Sequence, residues 1–296
     1  MGNSRADYSP IFDRPKLSHP GDARVLVWPV INIEQWDING PMPRTILPAP
    51  QGREVLPDIA NYGWFDYGLR VGFWRMKRVL DARGIRATLS LNAVVCDTCP
   101  RIVEESVKAG WEILAHGFIQ RVINVEPDER DVIRRTLDRI AEFTGTRPRG
   151  WMGPGLAETF DTPDILAEEG VEYVCDWCND DQPYQMKVRS GQLVSIPYTV
   201  ELNDISIYAV QNHSSPEMFT RTRDQFDALY EEGGESPRVM AISTHPYIMG
   251  VPHRIKYYDQ IFEYISGFDG VRFMTAGEVL DWYLRETGAL SGREQL

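Results

Sequence analysis

The sequence predicts an α/β protein folded as one closed or nearly closed β/α barrel. Three observations carry this. Short apolar runs alternate with helical patterns seven or eight times, no GxGxxG turn follows the first strand, and no linker breaks the alternation. A doubly wound open sheet is the alternative. The 296 residues suit a single barrel domain. Residues 1–23, rich in Pro, Ser and Asp, read as an N-terminal arm, and 24–296 as the barrel.

The elements follow in order. RVLVWPVINIE (24–34) is a long apolar strand, and ATLSLN (87–92) and WEILAH (111–116) are the next two. Between the first two lies 63–83, with Leu69, Phe73, Met76 and Leu80 at helical spacing. PRIVEESVKAG (100–110) and DERDVIRRTLDRIAEFTG (128–145) are helices stopped by glycine. RGWMGP (149–154) is a short strand and loop, DTPDILAEEG (161–170) a helix with proline near its first position, and YVCDW (173–177) a strand. QLVSIPYTVEL (192–202) reads as further strand and 214–232 as a helix with Pro216 in its first turn. VMAISTH (239–245), a helix at 257–268, VRFMT (271–275) and a helix opened by a Thr275/Glu278 capping box complete the chain.

Lys and Arg number 31 against 43 Asp and Glu, a net charge of −12, which argues against nucleic acid or an anionic membrane as partner. The N-terminus lacks the apolar core of a signal peptide, and no run approaches the length of a membrane span. MGNSRA departs from the myristoylation pattern at its sixth residue, an alanine. The expected compartment is the cytoplasm.

The four cysteines form two CxxC pairs, Cys96/Cys99 and Cys175/Cys178. Their separation is far longer than in zinc ribbons, so four small reduced residues are expected rather than structural zinc or a redox centre.

In a parallel barrel the site lies at the C-terminal ends of the strands. The first strand ends at Glu34, Gln35 and Trp36, the third at His116, the fourth at Trp151 and Met152, and the late strand at His245. The fifth runs into DWCNDDQPY, with Asn179, Asp180, Asp181 and Tyr184, and His253 and Arg254 follow the late strand. A carboxylate base, imidazole acids and polar orienting groups make a hydrolytic set. Each has a plainer reading. A strand-end histidine can simply bond backbone, Glu34 could pair with Arg70, Asn and Asp favour turns, and Trp36, Trp64, Trp151 and Trp177 could be core. Their coincidence at one end of several strands, beside tryptophans able to wall a pocket, favours a site.

The order of these segments resembles the polysaccharide deacetylase superfamily from about residue 24 to 285. That resemblance implies a single distorted (β/α)7 barrel. Metal-dependent members carry an aspartate pair on strand one and His-x-x-x-His on strand three as divalent-metal ligands, a later arginine before proline, and a late histidine acid. Here Glu34 and Gln35 stand at the aspartate pair, His116 and His245 are kept, Gln120 replaces the second histidine and Met152 the arginine. NDDQPY (179–184), PYTVELND (197–204), HPYIMGVPHR (245–254) and DYGLRVGFWR (66–75) are similar to allantoinase-type and cyclic imide hydrolase-type members, which open cyclic amides. The allantoinase type is described as needing no metal.

Physical chemistry makes a metal-free version reasonable. In a cyclic imide or ureide one nitrogen lone pair serves two carbonyls, so the carbon is more electrophilic and the departing nitrogen better stabilised. Acid–base catalysis of about 10²–10⁴-fold and oxyanion stabilisation then suffice where an N-acetyl group calls for a metal. The expected roles follow. Glu34 orients or deprotonates water, its basicity raised by apolar surroundings at Trp36 and Trp151. His116 and His245 bracket the carbonyl, one stabilising the oxyanion and the other protonating nitrogen. Trp36, Trp151, Asn179, Asp180, Asp181, Tyr184 and His253 line or orient the ring, and Arg70 and Arg254 bind a carboxylate or carbonyl.

No cofactor is expected, the alternative being a single zinc at His116 in a metal-dependent deacetylase of N-acetylated sugars. A catalytically inactive barrel serving as a binding module is a third reading, set against the retention of Glu34, His116 and His245. The Pro-rich arm and the aromatic segment 62–74 are candidate contact surfaces of a homo-oligomer, and the resemblance suggests a tetramer.

Overall fold

The computed structural model describes residues 2–49 and 52–289. Seven parallel strands form a curled sheet: β1 (Val25–Ile33), β2 (Thr88–Leu91), β3 (Glu112–Ala115), β4 (Gly150–Trp151), β5 (Tyr173–Val174), β7 (Leu193–Ser195) and β8 (Arg238–Thr244). Their lateral order is β7-β5-β4-β3-β2-β1-β8, and β9 (Val271–Phe273) pairs with the first half of β1. The order follows the chain around the sheet without the reversal a doubly wound fold requires, so the barrel reading holds. A parallel bridge between Asn203 and Ser243 ties the chain beyond β7 to β8 across the closing edge. One strand was not expected: β6 (Tyr184–Met186), antiparallel to β7 at the sheet's edge, begins at the last residue of the polar NDDQPY stretch, where no apolar alternation marks it.

β1 is buried along its whole length because it lies between β2 and β8 with helices outside. Its residues alternate between two apolar clusters. Leu26, Trp28 and Val30 join Leu114, Met152, Tyr173 and Ala241 inside the barrel. Val25, Val27, Ile31 and Ile33 face the helices together with Trp151 and Val174. The period of two therefore carries Glu34, His116 and His245 onto the inward face at the strand ends. Trp151, of opposite parity, packs outward and cannot wall a pocket inside.

The outer layer contains α1 (Ile59–Tyr67), α2 (Phe73–Asp81), α3 (Val95–Thr98), α4 (Pro100–Lys108), α5 (Glu129–Thr144), α6 (Thr162–Glu168), α7 (Glu217–Glu232), α8 (Pro246–Met249), α9 (Ile255–Ser266) and α10 (Ala276–Glu286). The predicted capping box of Thr275 and Glu278 opens α10. The helix expected over 63–83 is broken by a π-helical turn, Gly68–Gly72, which packs against α8 just beyond His245. A Cβ on Gly68 would lie 2.5 Å from the Tyr247 nitrogen, and one on Gly72 2.1 Å from the Pro246 carbonyl, so neither position admits a side chain.

The arm is fastened to the barrel by Arg5–Asp164 at 2.8 Å, Arg14–Asp180 at 2.6 Å and the Trp282 indole donating to the Ser18 carbonyl at 3.0 Å. All four cysteines are free, and burial pushes the thiols of Cys96 to about 11 and Cys178 to about 12, so both stay protonated at neutral pH. Among the described residues no helix is long and apolar enough to cross a membrane.

Candidate active site

Three strand ends converge. Glu34 follows β1, His116 follows β3 and His245 follows β8, and their exposures are only 5%, 3% and 4%. His245 Nε2 lies 3.4 Å from Glu34 Oε1, and His116 Nε2 lies 4.0 Å from the same oxygen. Glu34 accepts further bonds from Gln120 Nε2 at 2.8 Å, from the Tyr247 hydroxyl at 3.2 Å and from the Trp36 indole at 3.3 Å. Asn92, at the end of β2, ties two of these strand ends together. Its Oδ1 accepts from the Gln35 nitrogen at 2.8 Å, and its Nδ2 donates to the His116 carbonyl.

Each imidazole is fixed by its other nitrogen. His116 Nδ1 faces the Met152 carbonyl at 2.6 Å. A carbonyl only accepts, so Nδ1 carries the hydrogen and the neutral ring presents a lone pair at Nε2. His245 Nδ1 faces Asp204 Oδ1 at 2.7 Å, and Asp204 Oδ2 accepts from the His245 backbone nitrogen at 2.7 Å.

The electrostatics separate the two rings. Burial pushes His245 down, but Asp204 and Glu34 outweigh it and raise it to about 9, so the ring is an imidazolium at neutral pH. Burial pushes His116 below its ordinary value, with Glu34 and the Met152 carbonyl opposing, so that ring is neutral. Burial also raises Glu34, yet His245, His116 and the Trp36 indole more than offset it and hold the carboxyl at about 2. The expected rise in Glu34 basicity is therefore corrected: Trp36 is a hydrogen-bond donor here, and Trp151 faces away.

An aromatic cover lies over the carboxylate. Trp36 stacks on Phe65 with centroids 4.8 Å apart, and Trp64 meets Tyr247 edge-on at 4.8 Å. Trp177 belongs to a different cavity, of about 520 Å³, which it shares with Glu158 and Asp176.

The remaining expected residues are placed elsewhere. Arg70 is exposed and pairs with Asp66 at 3.5 Å, not with Glu34. Asp180 holds Arg14 of the arm, and exposed Asn179 accepts from the Tyr184 hydroxyl at 3.1 Å. The Asp181 carbonyl accepts from Val239 at 2.8 Å. Val239 lies six residues before His245 on an extended strand, about 20 Å away. The run was expected beside the ring, but the chain leaves the strand end and turns into β6. His253 is exposed. Arg254 lies behind the Asp204–His245 pair, its guanidinium 4.2 Å over the Tyr208 ring and its Nη1 donating to the Ile248 carbonyl at 3.2 Å. Of the expected site residues, Glu34, Trp36, His116 and His245 come together.

Asp204, Tyr247 and Asn92 complete the site and were not expected in it, whereas Gln120, which the resemblance sets in place of the second histidine, joins them at Glu34. Asp204 stands in the PYTVELND stretch already singled out, but it opens a π-helical turn and touches a residue 41 positions later. No local periodicity signals such a contact. Tyr247 follows His245 in HPY and marks itself only once the short helix α8 folds it back over Glu34.

The donor set does not fit a three-ligand divalent centre. Among the described residues no three His, Cys, Asp or Glu side chains are grouped to hold a metal ion. Gln120 turns its NH₂ toward Glu34, and an NH₂ donates rather than ligates.

The polysaccharide deacetylase family pattern matches residues 58–174. A Schizosaccharomyces pombe chain named for the polysaccharide deacetylases is 30% identical over 239 residues, covering 73% of each chain. A peptidoglycan deacetylase of Helicobacter pylori is 25% identical over 79% of this chain and 90% of its own. Among solved structures, one described as a polysaccharide deacetylase from Pseudomonas aeruginosa superposes with a TM-score of 0.83 at 27% identity, covering 93% of this chain and 95% of its own. The Puue allantoinase superposes with a TM-score of 0.80 at 26% identity, covering 95% and 98%.

Proposed function

The chain belongs to the polysaccharide deacetylase family, hydrolases of carbon–nitrogen bonds, and from that premise we propose that it opens a cyclic amide. The substrate class is a cyclic imide or ureide: succinimide-like, hydantoin-like or allantoin. The similarity to an allantoinase over nearly the whole chain supports this choice. The observation that carries it is the site's division of labour. His116, its Nδ1 bonded to the Met152 carbonyl, faces His245, its Nδ1 bonded to the Asp204 carboxylate, across Glu34, while Gln120, which the sequence resemblance sets in place of the second metal-ligating histidine, donates to Glu34.

The mechanism uses these states. Water enters beside Glu34 and gives a proton to the His116 Nε2 lone pair as its oxygen bonds the ring carbonyl carbon. Negative charge on the former carbonyl oxygen is met by the His245 imidazolium, which is already charged and fixed by Asp204. The C–N bond then breaks, and His245 Nε2–H passes its proton to the departing nitrogen. The product is an open chain with a new carboxylic acid and a free amide or urea end. Glu34 orients the water and keeps His245 charged; at about 2 it is too weak a base to be the main proton acceptor.

Deacetylation of N-acetylated sugars is the second reading, favoured by the names of the sequence relatives. The two separate on a panel of succinimide, glutarimide, dihydrouracil, hydantoin, allantoin and N-acetylglucosamine oligomers. Ring opening of an imide or ureide, with the oligomers untouched, is expected. Release of acetate from the oligomers with every ring intact would replace this proposal by the deacetylase.

A further inference from the structure

We propose that Gln120 is the residue that selects the substrate, by accepting a hydrogen bond from the ring N–H next to the attacked carbonyl. This rests on the cyclic amide reading and narrows it to rings whose nitrogen bears hydrogen.

The argument starts from the amide's two ends. Glu34 is an anion and only accepts, so the Gln120 NH₂ must face it, and the 2.8 Å contact fixes that orientation. The amide oxygen is then forced to the other side. There Gln120 Oε1 is buried from solvent and has no hydrogen-bond partner. A buried acceptor left unpaired is unfavourable, so a donor that reaches it is bound in preference. Rotation cannot relieve it, because turning the amide over would set oxygen against the Glu34 carboxylate.

Gln120 is also held in place from behind. Its backbone nitrogen donates to the Gln35 carbonyl at 3.1 Å, and the Gln35 nitrogen is bonded in turn to Asn92. The oxygen is thus a fixed acceptor next to the carboxylate that positions water. The group that fits it is a donor, and in a cyclic imide or ureide the donor adjacent to the scissile carbonyl is the ring N–H. The bond lies in the plane of the ring. It leaves the nitrogen lone pair, which develops perpendicular to that plane as the C–N bond breaks, free for His245.

Sites built to hydrogen-bond a substrate N–H reject analogues that lack it strongly, because the site's own polar atom is left unpaired. The experiment compares succinimide with N-methylsuccinimide on the wild-type protein and on Gln120→Leu and Gln120→Met, which keep the side-chain bulk and remove the acceptor. The wild-type protein is expected to favour the N–H substrate by at least about 10²-fold in kcat/KM. Both variants also lose the contact to Glu34, so their kcat falls for either substrate, but the preference itself should shrink to within about tenfold. Equal turnover of the two substrates by the wild type overturns the inference. So does a variant that slows both by one common factor while keeping the preference. Failure to open any ring of the panel overturns the reading of function and this inference together, whereas opening both succinimides equally overturns this inference alone.

Discussion

Asp204 holds His245 twice, accepting from its backbone nitrogen through Oδ2 at 2.7 Å and meeting its ring Nδ1 through Oδ1 at the same distance. One carboxylate thereby sets both where the ring stands and which charge it carries. Asp204→Asn keeps the shape and removes the charge, so the His245 pKa should fall from about 9. The expected result is a kcat lower by on the order of 10²-fold and an alkaline limb of the pH–rate profile moved to lower pH. Measuring kcat/KM from pH 5 to pH 10 checks both.

The wild-type profile should be bell-shaped. On the acid side His116 must be neutral to take a proton; its value is lowered below 6.5, so activity is lost only below the ordinary histidine range. On the alkaline side His245 must be protonated, and activity should fall as pH rises through about 9. An alkaline limb near 6.5 would mean that Asp204 and Glu34 do not hold the ring charged.

Glu34→Gln removes the charge that His245 and His116 share. The fold should survive, because an amide fills the same space and keeps one acceptor. Turnover should drop by about 10²–10⁴-fold, with the alkaline limb again moved to lower pH. Circular dichroism and steady-state kinetics on one preparation separate the effects, and near-normal kcat would remove Glu34 from the mechanism.

Gly72→Ala tests the scaffold. The added methyl would lie 2.1 Å from the Pro246 carbonyl and push α8 away from the π-helical turn. Overpacking of this kind costs about 1–3 kcal/mol. Because Tyr247 sits on α8 and bonds Glu34, kcat should fall together with the urea midpoint.

Asp180→Asn should leave kcat and KM nearly unchanged, since Asp180 binds Arg14 of the arm and lies outside the histidine site. The arm, losing that partner, should be cut faster by trypsin. A large change in KM would return Asp180 to the substrate.

Much of the fold was legible because its signals are local. The alternation of apolar runs with capped, glycine-stopped helices predicts a parallel barrel, and the period of two sets Glu34, His116 and His245 facing inward at strand ends. What was not legible depends on contacts between distant segments. Asp204 finds His245 because the chain beyond β7 bridges to β8 at Asn203 and Ser243. The helical pattern of 63–83 runs on through Gly68–Gly72, and only the arrival of α8 explains the π-helical turn. The composition of Asn179–Tyr184 suits a strand-end cluster, yet the direction in which a loop leaves a strand is not written in composition. Arg70 and Arg254 stand in stretches that the resemblance marks, yet Arg70 is exposed and paired with Asp66, and Arg254 lies over the Tyr208 ring and donates to the Ile248 carbonyl.

The most direct test is turnover by metal-depleted protein. After prolonged chelation, with the residual metal content measured on the same sample, the enzyme should open its cyclic substrate at the untreated rate, and added zinc should change nothing. Loss of ring opening on chelation, with full recovery when one zinc per chain is restored, would contradict the account and return His116 to a metal.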